Sequence, residues 1–355
     1  MTDNDNDNIL DSEKFTETPL APFFGADYRP EPATMFRRTD GQHGIYPGRL
    51  HVFYGESSSL KTWTALVAVT QVLHRGGTVV WIDMEDTPQT VANRLRLLGV
   101  EPQEVARCHY LRPEGKFGAE DATNVVSTYA PNLVVIDSMS EVLALLGADG
   151  YVSQQVADVH RTIRGFTDNG AAAVLIIDHV TKAHTNATRG PIGSERKLSG
   201  IDGTAYAFTL IDPFGVGKEG SARIKLDKDR VGTVQGICAD DATFGFVTLL
   251  SCNNRVAYRV ALPKEHNNDL RVERRDNILR AVQAAGKEGI RKKALYEKVG
   301  GARYLFNEAV DYLVEHERLL GGPPDPYVYN DQIIVVDFTM AMENFTDDMV
   351  DDPEW

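Results

Sequence analysis

Gly55-Glu56-Ser57-Ser58-Ser59-Leu60-Lys61-Thr62 follows the apolar run Leu50-His51-Val52-Phe53-Tyr54 and precedes Trp63-Thr64-Ala65-Leu66-Val67-Ala68-Val69. Strand, glycine-led turn and helix in that order are the setting of a phosphate-binding loop. There, backbone N–H groups and a helix N-terminus face the anion, a lysine reaches its outer oxygens and a Ser or Thr holds magnesium. Lys61 and Thr62 stand where that pattern needs them, whereas Leu60 occupies the place of its second glycine. The plainer reading is a helix start capped by Ser57, Ser58 or Ser59. The strand before the loop and the acidic strand ends after it favour a nucleotide loop over residues 55–62.

Working outward, short β-rich runs at 50–54, 78–83, 109–111, 132–137 and 172–178 alternate with helical patterns at 61–75, 87–98, 121–130 and 152–169. Gly76-Gly77, Gly99 and Gly170 close three of these helices. Near-continuous apolar strands alternating with helices predict an α/β fold whose mainly parallel sheet is covered on both faces. After Gly203 the texture changes to strands at 206–211, 221–226, 246–250 and 256–260, read as an antiparallel extension of the same sheet.

The polar break at 263–271 is expected to be a linker between a core over 26–262 and a small unit over 272–338. Helical stripes at 272–285, 291–299 and 302–317, then a possible hairpin at 319–338, suit a winged helix-turn-helix. Residues 1–25, with Asp3, Asp5, Asp7, Asp11 and Glu13, are expected to be a disordered acidic arm. Residues 339–355, with six carboxylates from Glu343 to Glu354, are expected to be a disordered acidic tail.

The 355 residues, 42% hydrophobic and 25% charged, exclude a fibrous or disorder-dominated chain. No apolar run reaches the roughly 20 residues of a membrane span, and the N-terminus is acidic, so a cytoplasmic protein is expected. Cys108, Cys238 and Cys252 form no metal or disulfide pattern. The net charge of −14 is concentrated at both ends and decides little about nucleic-acid binding.

Acidic strand ends supply the remaining chemistry. Asp137 closes Asn132-Leu133-Val134-Val135-Ile136-Asp137, an arrangement that sets a carboxylate beside a phosphate loop to hold Mg²⁺ through water. Asp83, Glu85 and Asp86 close the strand after the loop's helix, where a carboxylate can activate water or simply make a polar turn.

With these residues in view, the chain resembles the RecA-like ATPase core of the RepA/DnaB-type hexameric helicases over about 37–260. The resemblance is carried by Arg38-Thr39-Asp40-Gly41, Ile45-Tyr46-Pro47-Gly48-Arg49, Glu85-Asp86 with Arg94-Leu95-Arg96, and the Asp137 strand. Ile177-Asp178-His179-Val180-Thr181-Lys182 and Lys228-Asp229-Arg230-Val231-Gly232 extend it.

That resemblance implies ATP and Mg²⁺ on residues 55–62 and Asp137, with Glu85 activating water and His179 sensing the γ-phosphate. It implies that Lys228 and Arg230 reach into a neighbour's site in a homo-oligomer, usually a hexamer. Lys182, Arg189, Arg196 and Lys197, in the polar segment after His179, are candidates for gripping single-stranded or branched DNA in the ring's channel. By residue type alone this segment reads equally as a solvated loop.

In the C-terminal unit, Arg291, Lys292, Lys293 and Arg303 can meet DNA phosphates, although Glu308, Asp311, Glu315 and Glu317 on the presumed recognition helix argue against base reading. The acidic, Trp355-ended tail resembles those of single-strand-binding and phage replication proteins, which recruit partners or compete with DNA for basic grooves; by composition it reads equally as a solubilising end. The expected function is a DNA helicase or translocase-type ATPase of replication or recombination. Two rivals remain. One is a metal-dependent nuclease using Asp83, Glu85, Asp86, Asp137 and Asp178; the other is a DNA- or replisome-binding loader or regulator without hydrolysis.

Overall fold

The computed structural model describes residues 18–25, 27–167, 172–179, 196–252, 254–300, 303–316 and 318–329. Most of the acidic arm, the segment 180–195 with Lys182 and Arg189, and the tail with its proposed partner contact therefore lie outside the described residues. The described residues fall into two units, those up to Pro32 and those from Ala33 onward. In the first, a short turn at Ala21–Phe23 is followed by an edge-on contact between Phe23 and Tyr28.

The second unit opens with a hairpin of β1 (Met35–Arg37) and β2 (His43–Ile45). β3 (Leu50–Gly55) leads through the loop into α1 (Lys61–His74), then β4 (Val79–Asp83), α2 (Pro88–Leu97), α3 (Pro102–Val105) and β5 (Cys108–Leu111). Next come α4 (Ala119–Tyr129), β6 (Leu133–Asp137), α5 (Met139–Leu146), α6 (Ser153–Arg164) and β7 (Ala173–His179). After α7 (Arg196–Ser199), the strands are β8 (Thr204–Asp212), β9 (Glu219–Asp229), β10 (Thr243–Cys252) and β11 (Arg255–Ala261).

β3 to β11 form one sheet in the order β11-β10-β9-β8-β3-β7-β6-β4-β5. The six strands from β8 to β5 in that order run parallel, and β9, β10 and β11 extend it antiparallel, as the change of texture after Gly203 suggests. Successive residues of each parallel strand enter opposite cores. Phe53, Trp81, Val135 and Leu175 pack on the α1 side. Val52, Val80, Val134 and Val174 pack with α5 and α6 on the other. Both faces are thus buried, which is why these strands read as continuous apolar runs.

Three differences from the sequence reading have physical causes. β1 and β2 are three residues each, too short to show a period. α5 is a brief apolar run that starts directly after Ser138 and stops at Gly147, whose φ of +75° suits the glycine-favoured end of a helix. The expected linker at 263–271 is instead part of α8 (Pro263–Gln283), one helix that begins with proline at its first position and reaches the C-terminal unit. Polar composition on all faces marks a helix spanning between cores as readily as a loop.

Beyond α8, α9 (Lys292–Val299) and α10 (Arg303–Glu315) pack around Ile278, Val282, Leu295, Phe306, Val310 and Leu313. A ribbon of β12 (Leu319–Leu320) and β13 (Val328–Tyr329) follows, and Ile290 bridges to Tyr327 beside it.

Candidate functional site

Four adjacent strands, β3, β7, β6 and β4, end almost level. Gly55 is opposite His179, Asp137 opposite Ile177, and Asp83 opposite Asp137. Strand spacing of about 4.8 Å gathers their carboxyl-end residues on one edge. Ligands bind at such an edge in open α/β sheets.

Gly55 ends β3 where backbone comes close: a Cβ there would stand 2.6 Å from the Phe208 carbonyl oxygen. Glu56, Ser57 and Ser58 are exposed, whereas Ser59 is buried. Leu60 takes a left-handed φ of +69° and immediately precedes α1. Its side chain is only 7% exposed and packs in the α1-side core. The isobutyl group is therefore buried among the residues beneath α1 rather than exposed with Glu56, Ser57 and Ser58.

Lys61 is folded back onto the loop, its Nζ donating to the carbonyls of Gly55 (3.0 Å) and Glu56 (2.6 Å) and lying 3.3 Å from Ser59 Oγ. Burial pushes its ammonium down to about 8, against the opposing pull of Asp137, Asp178 and Glu85.

Asp137 shares a strand face with Leu133 and Val135, so its carboxylate meets α1. Thr62 Oγ1 donates to Asp137 Oδ2 at 3.2 Å. The other oxygen, Oδ1, is buried without a hydrogen-bond partner among the described residues. Burial first, then the carboxylates of Glu85 and Asp83, push Asp137 up to about 7. A buried carboxylate with an orphaned oxygen, beside a threonine hydroxyl and a phosphate-type loop, fits a divalent cation. Thr62 and Asp137 are the residues that would hold it.

Glu85 lies across from the loop on the turn after β4. Its Oε1 accepts from Ser138 Oγ and lies 3.4 Å from His179 Nε2. The His179 contact, then that with Ser138, holds its carboxyl below the usual range against partial burial. His179 Nδ1 is buried without a partner among the described residues. Lys61, Thr62, Asp137, Glu85 and His179 thus converge on one edge of the sheet.

The other carboxylates are committed elsewhere. Asp83 accepts from Trp81 Nε1 and from the backbone N–H groups of Glu85 and Asp86, fixing the turn that carries Glu85. Asp86 pairs with Arg94 at 3.3 Å. Asp178 is buried against Lys197, with Nζ 3.0 Å from Oδ2 and 3.3 Å from Oδ1. Among the described residues no three His, Cys, Asp or Glu side chains are grouped to hold a metal by themselves.

Lys197 corrects an expectation. The residue read as a DNA contact is 5% exposed and neutralises Asp178 inside the protein, because a buried carboxylate needs a cation. Arg196 begins α7, and its side chain is not described.

Lys228 donates to the carbonyls of Leu198 (2.7 Å), Ser199 (3.1 Å) and Ile201 (2.6 Å), capping the end of α7. Arg230 is exposed, and its backbone N–H bonds Gly203, whose own N–H bonds Leu50. It therefore stands at the opposite end of β3 from the loop, about 17 Å away at the rise of a strand.

In the C-terminal unit Arg291, Lys293 and Arg303 are exposed and Lys292 is half-buried. Glu308, Asp311 and Glu315 are exposed on α10. The sequence reading missed Ser138 and the Asp178–Lys197 pair. Ser138 had one available signal, its place directly after the strand-end aspartate.

Residues 37–185 match the family described as AAA domain. A Protein RecA of Fusobacterium nucleatum is 34% identical over 218 residues, covering 61% of this chain and 53% of that protein. One from Limosilactobacillus reuteri is 36% identical over 111 residues, covering 30% and 29%. The chromosomal Protein RecA of Lactococcus lactis is 26% identical over 291 residues, covering 78% and 69%. The chain thus spans about half the length of the first relative and under a third of the second. With the sheet order, these likenesses give a RecA-like P-loop NTPase core. No helix among the described residues is long and apolar enough to cross a membrane.

Proposed function

We propose that this chain is an ATPase acting on DNA, of the helicase or translocase type, working in replication or recombination. The observation that carries the reading is the convergence of Lys61, Thr62–Asp137 and Glu85–His179 on one sheet edge. Residues 55–62 cradle the phosphates, and Lys61 leaves the loop carbonyls to meet them. Thr62 and Asp137 would hold magnesium, which would supply neutralisation of negative charge on the phosphate oxygens. Glu85, ionised and aimed across the site, orients and takes a proton from the attacking water. His179, linking Glu85 to the end of β7, senses whether the outer phosphate is present.

Arg230 cannot reach the loop of its own chain, since an arginine side chain is far shorter than the strand between them. Its exposure supports action on a neighbour's site, and with it a ring or filament, for which we propose a hexamer. The C-terminal helices and ribbon support a winged-helix unit. Its acidic α10 favours a protein partner over base reading, leaving Arg291, Lys293 and Arg303 for phosphate contact.

The separate nuclease reading loses two of its ligands, Asp83 and Asp178, to partners within the fold. The test of the proposal is Glu85→Gln: ATP affinity stays within about threefold of wild type while turnover falls roughly a hundredfold or more. Equal turnover in the variant contradicts it.

A further inference from the structure

Ser138 is fully buried, and its hydroxyl donates to Glu85 Oε1 while standing 3.0 Å from Ser140 Oγ. It follows Asp137 directly, so one dipeptide at the end of β6 addresses both halves of the site. Asp137 turns to Thr62 on α1, and Ser138 turns to Glu85 beyond β4.

Glu85 needs such a partner. Asp83 fixes its main chain through the N–H groups of Glu85 and Asp86, but that leaves the glutamate's own torsions free. Its side chain is 37% exposed, so packing alone does not choose a rotamer. His179, at 3.4 Å, is the looser of its two contacts on Oε1. The aim of a group that orients water matters steeply, since a misplacement of about 1 Å can cost about a hundredfold in rate.

We propose that Ser138 is a positioning residue for Glu85: its buried hydroxyl holds the carboxylate in the rotamer from which water is oriented. The proposal rests on the ATPase reading above. With the one hydroxyl proton of Ser138 given to Glu85, Ser140 is left as the donor to Ser138 Oγ. Because Ser138 touches the reaction only through Glu85, removing its hydroxyl acts on turnover and leaves binding alone.

The experiment measures kcat, KM and nucleotide Kd for wild type, Ser138→Ala, Ser138→Thr, Glu85→Gln and the Ser138→Ala/Glu85→Gln pair, with folding checked by thermal melts. Ser138→Ala is expected to lower kcat roughly tenfold or more, with KM and Kd within about twofold. Ser138→Thr, which keeps the hydroxyl, restores most of the loss. In single-turnover assays, Ser138→Ala adds little to the defect of Glu85→Gln, because the two residues act as one unit. A Ser138→Ala enzyme as fast as wild type or faster overturns the inference, as does a loss that adds in full to that of Glu85→Gln. If wild type hydrolyses ATP and Glu85→Gln does not, such a result removes only the role of Ser138. If wild type is inactive, or Glu85→Gln is as active as wild type, the ATPase reading itself fails and the inference with it.

Discussion

Leu60 adopts a left-handed backbone that costs a leucine roughly 1–2 kcal/mol, and burial of its side chain, worth roughly 1.5–3 kcal/mol, offsets that cost. Leu60→Gly relieves the strain but loses the burial and adds chain entropy, so a net destabilisation of about 1–2 kcal/mol is expected. Nucleotide affinity should change less than about threefold, since the side chain is buried among the residues beneath α1. Urea denaturation beside a nucleotide titration checks both, and much tighter binding by the variant would show that leucine does obstruct the phosphates. Lys61 sets a pH limit. Burial has depressed its pKa to about 8, so the charged form is lost as pH rises through that value. Affinity for ATP in the free protein should therefore fall above about pH 8, and a flat titration from pH 7 to 9 would contradict this. Lys61, Thr62 and Asp137 were legible because motif and spacing name them. Glu85 and His179 stood out through resemblance, since a polar turn or a strand-end histidine has bland explanations. Lys197 was misread because a sequence shows charge but not burial.

At the scale of elements, the parallel strands were legible because two-sided burial writes itself as apolar runs, as at 133–137 and 173–178. The β1–β2 hairpin and α5 were not, being shorter than any period can show, and α8 was hidden by its polar surface. The Asp178–Lys197 pair joins the end of β7, next to His179, to the first turn of α7. Lys228 and Arg164 hold the end of the same helix through carbonyls from Leu198 to Ile201. Lys197→Met leaves Asp178 buried without its cation and should cost about 3–5 kcal/mol. Adding Asp178→Asn should recover part of that loss in the same denaturation assay. If the single change proves neutral, the pair is not what anchors α7 to β7.

For the whole molecule, the proposal that Arg230 serves a neighbour's phosphate loop requires an active unit larger than one chain. Arg230→Ala and Lys61→Ala should each be inactive alone. Mixed in equal amounts and allowed to exchange, they should recover up to about a quarter of wild-type turnover, since random assembly joins an intact loop to an intact arginine at that fraction of interfaces. No recovery on mixing would place Arg230 outside the neighbour's site. Phosphate release from ATP, with and without single-stranded DNA, measures whether Lys61, Asp137 and Glu85 form a DNA-dependent ATPase. Wild type should release phosphate with Mg²⁺, faster with DNA, and Lys61→Ala should release none above background. Undetectable hydrolysis by the wild-type protein in both conditions, or equal rates with Lys61→Ala, would contradict the account.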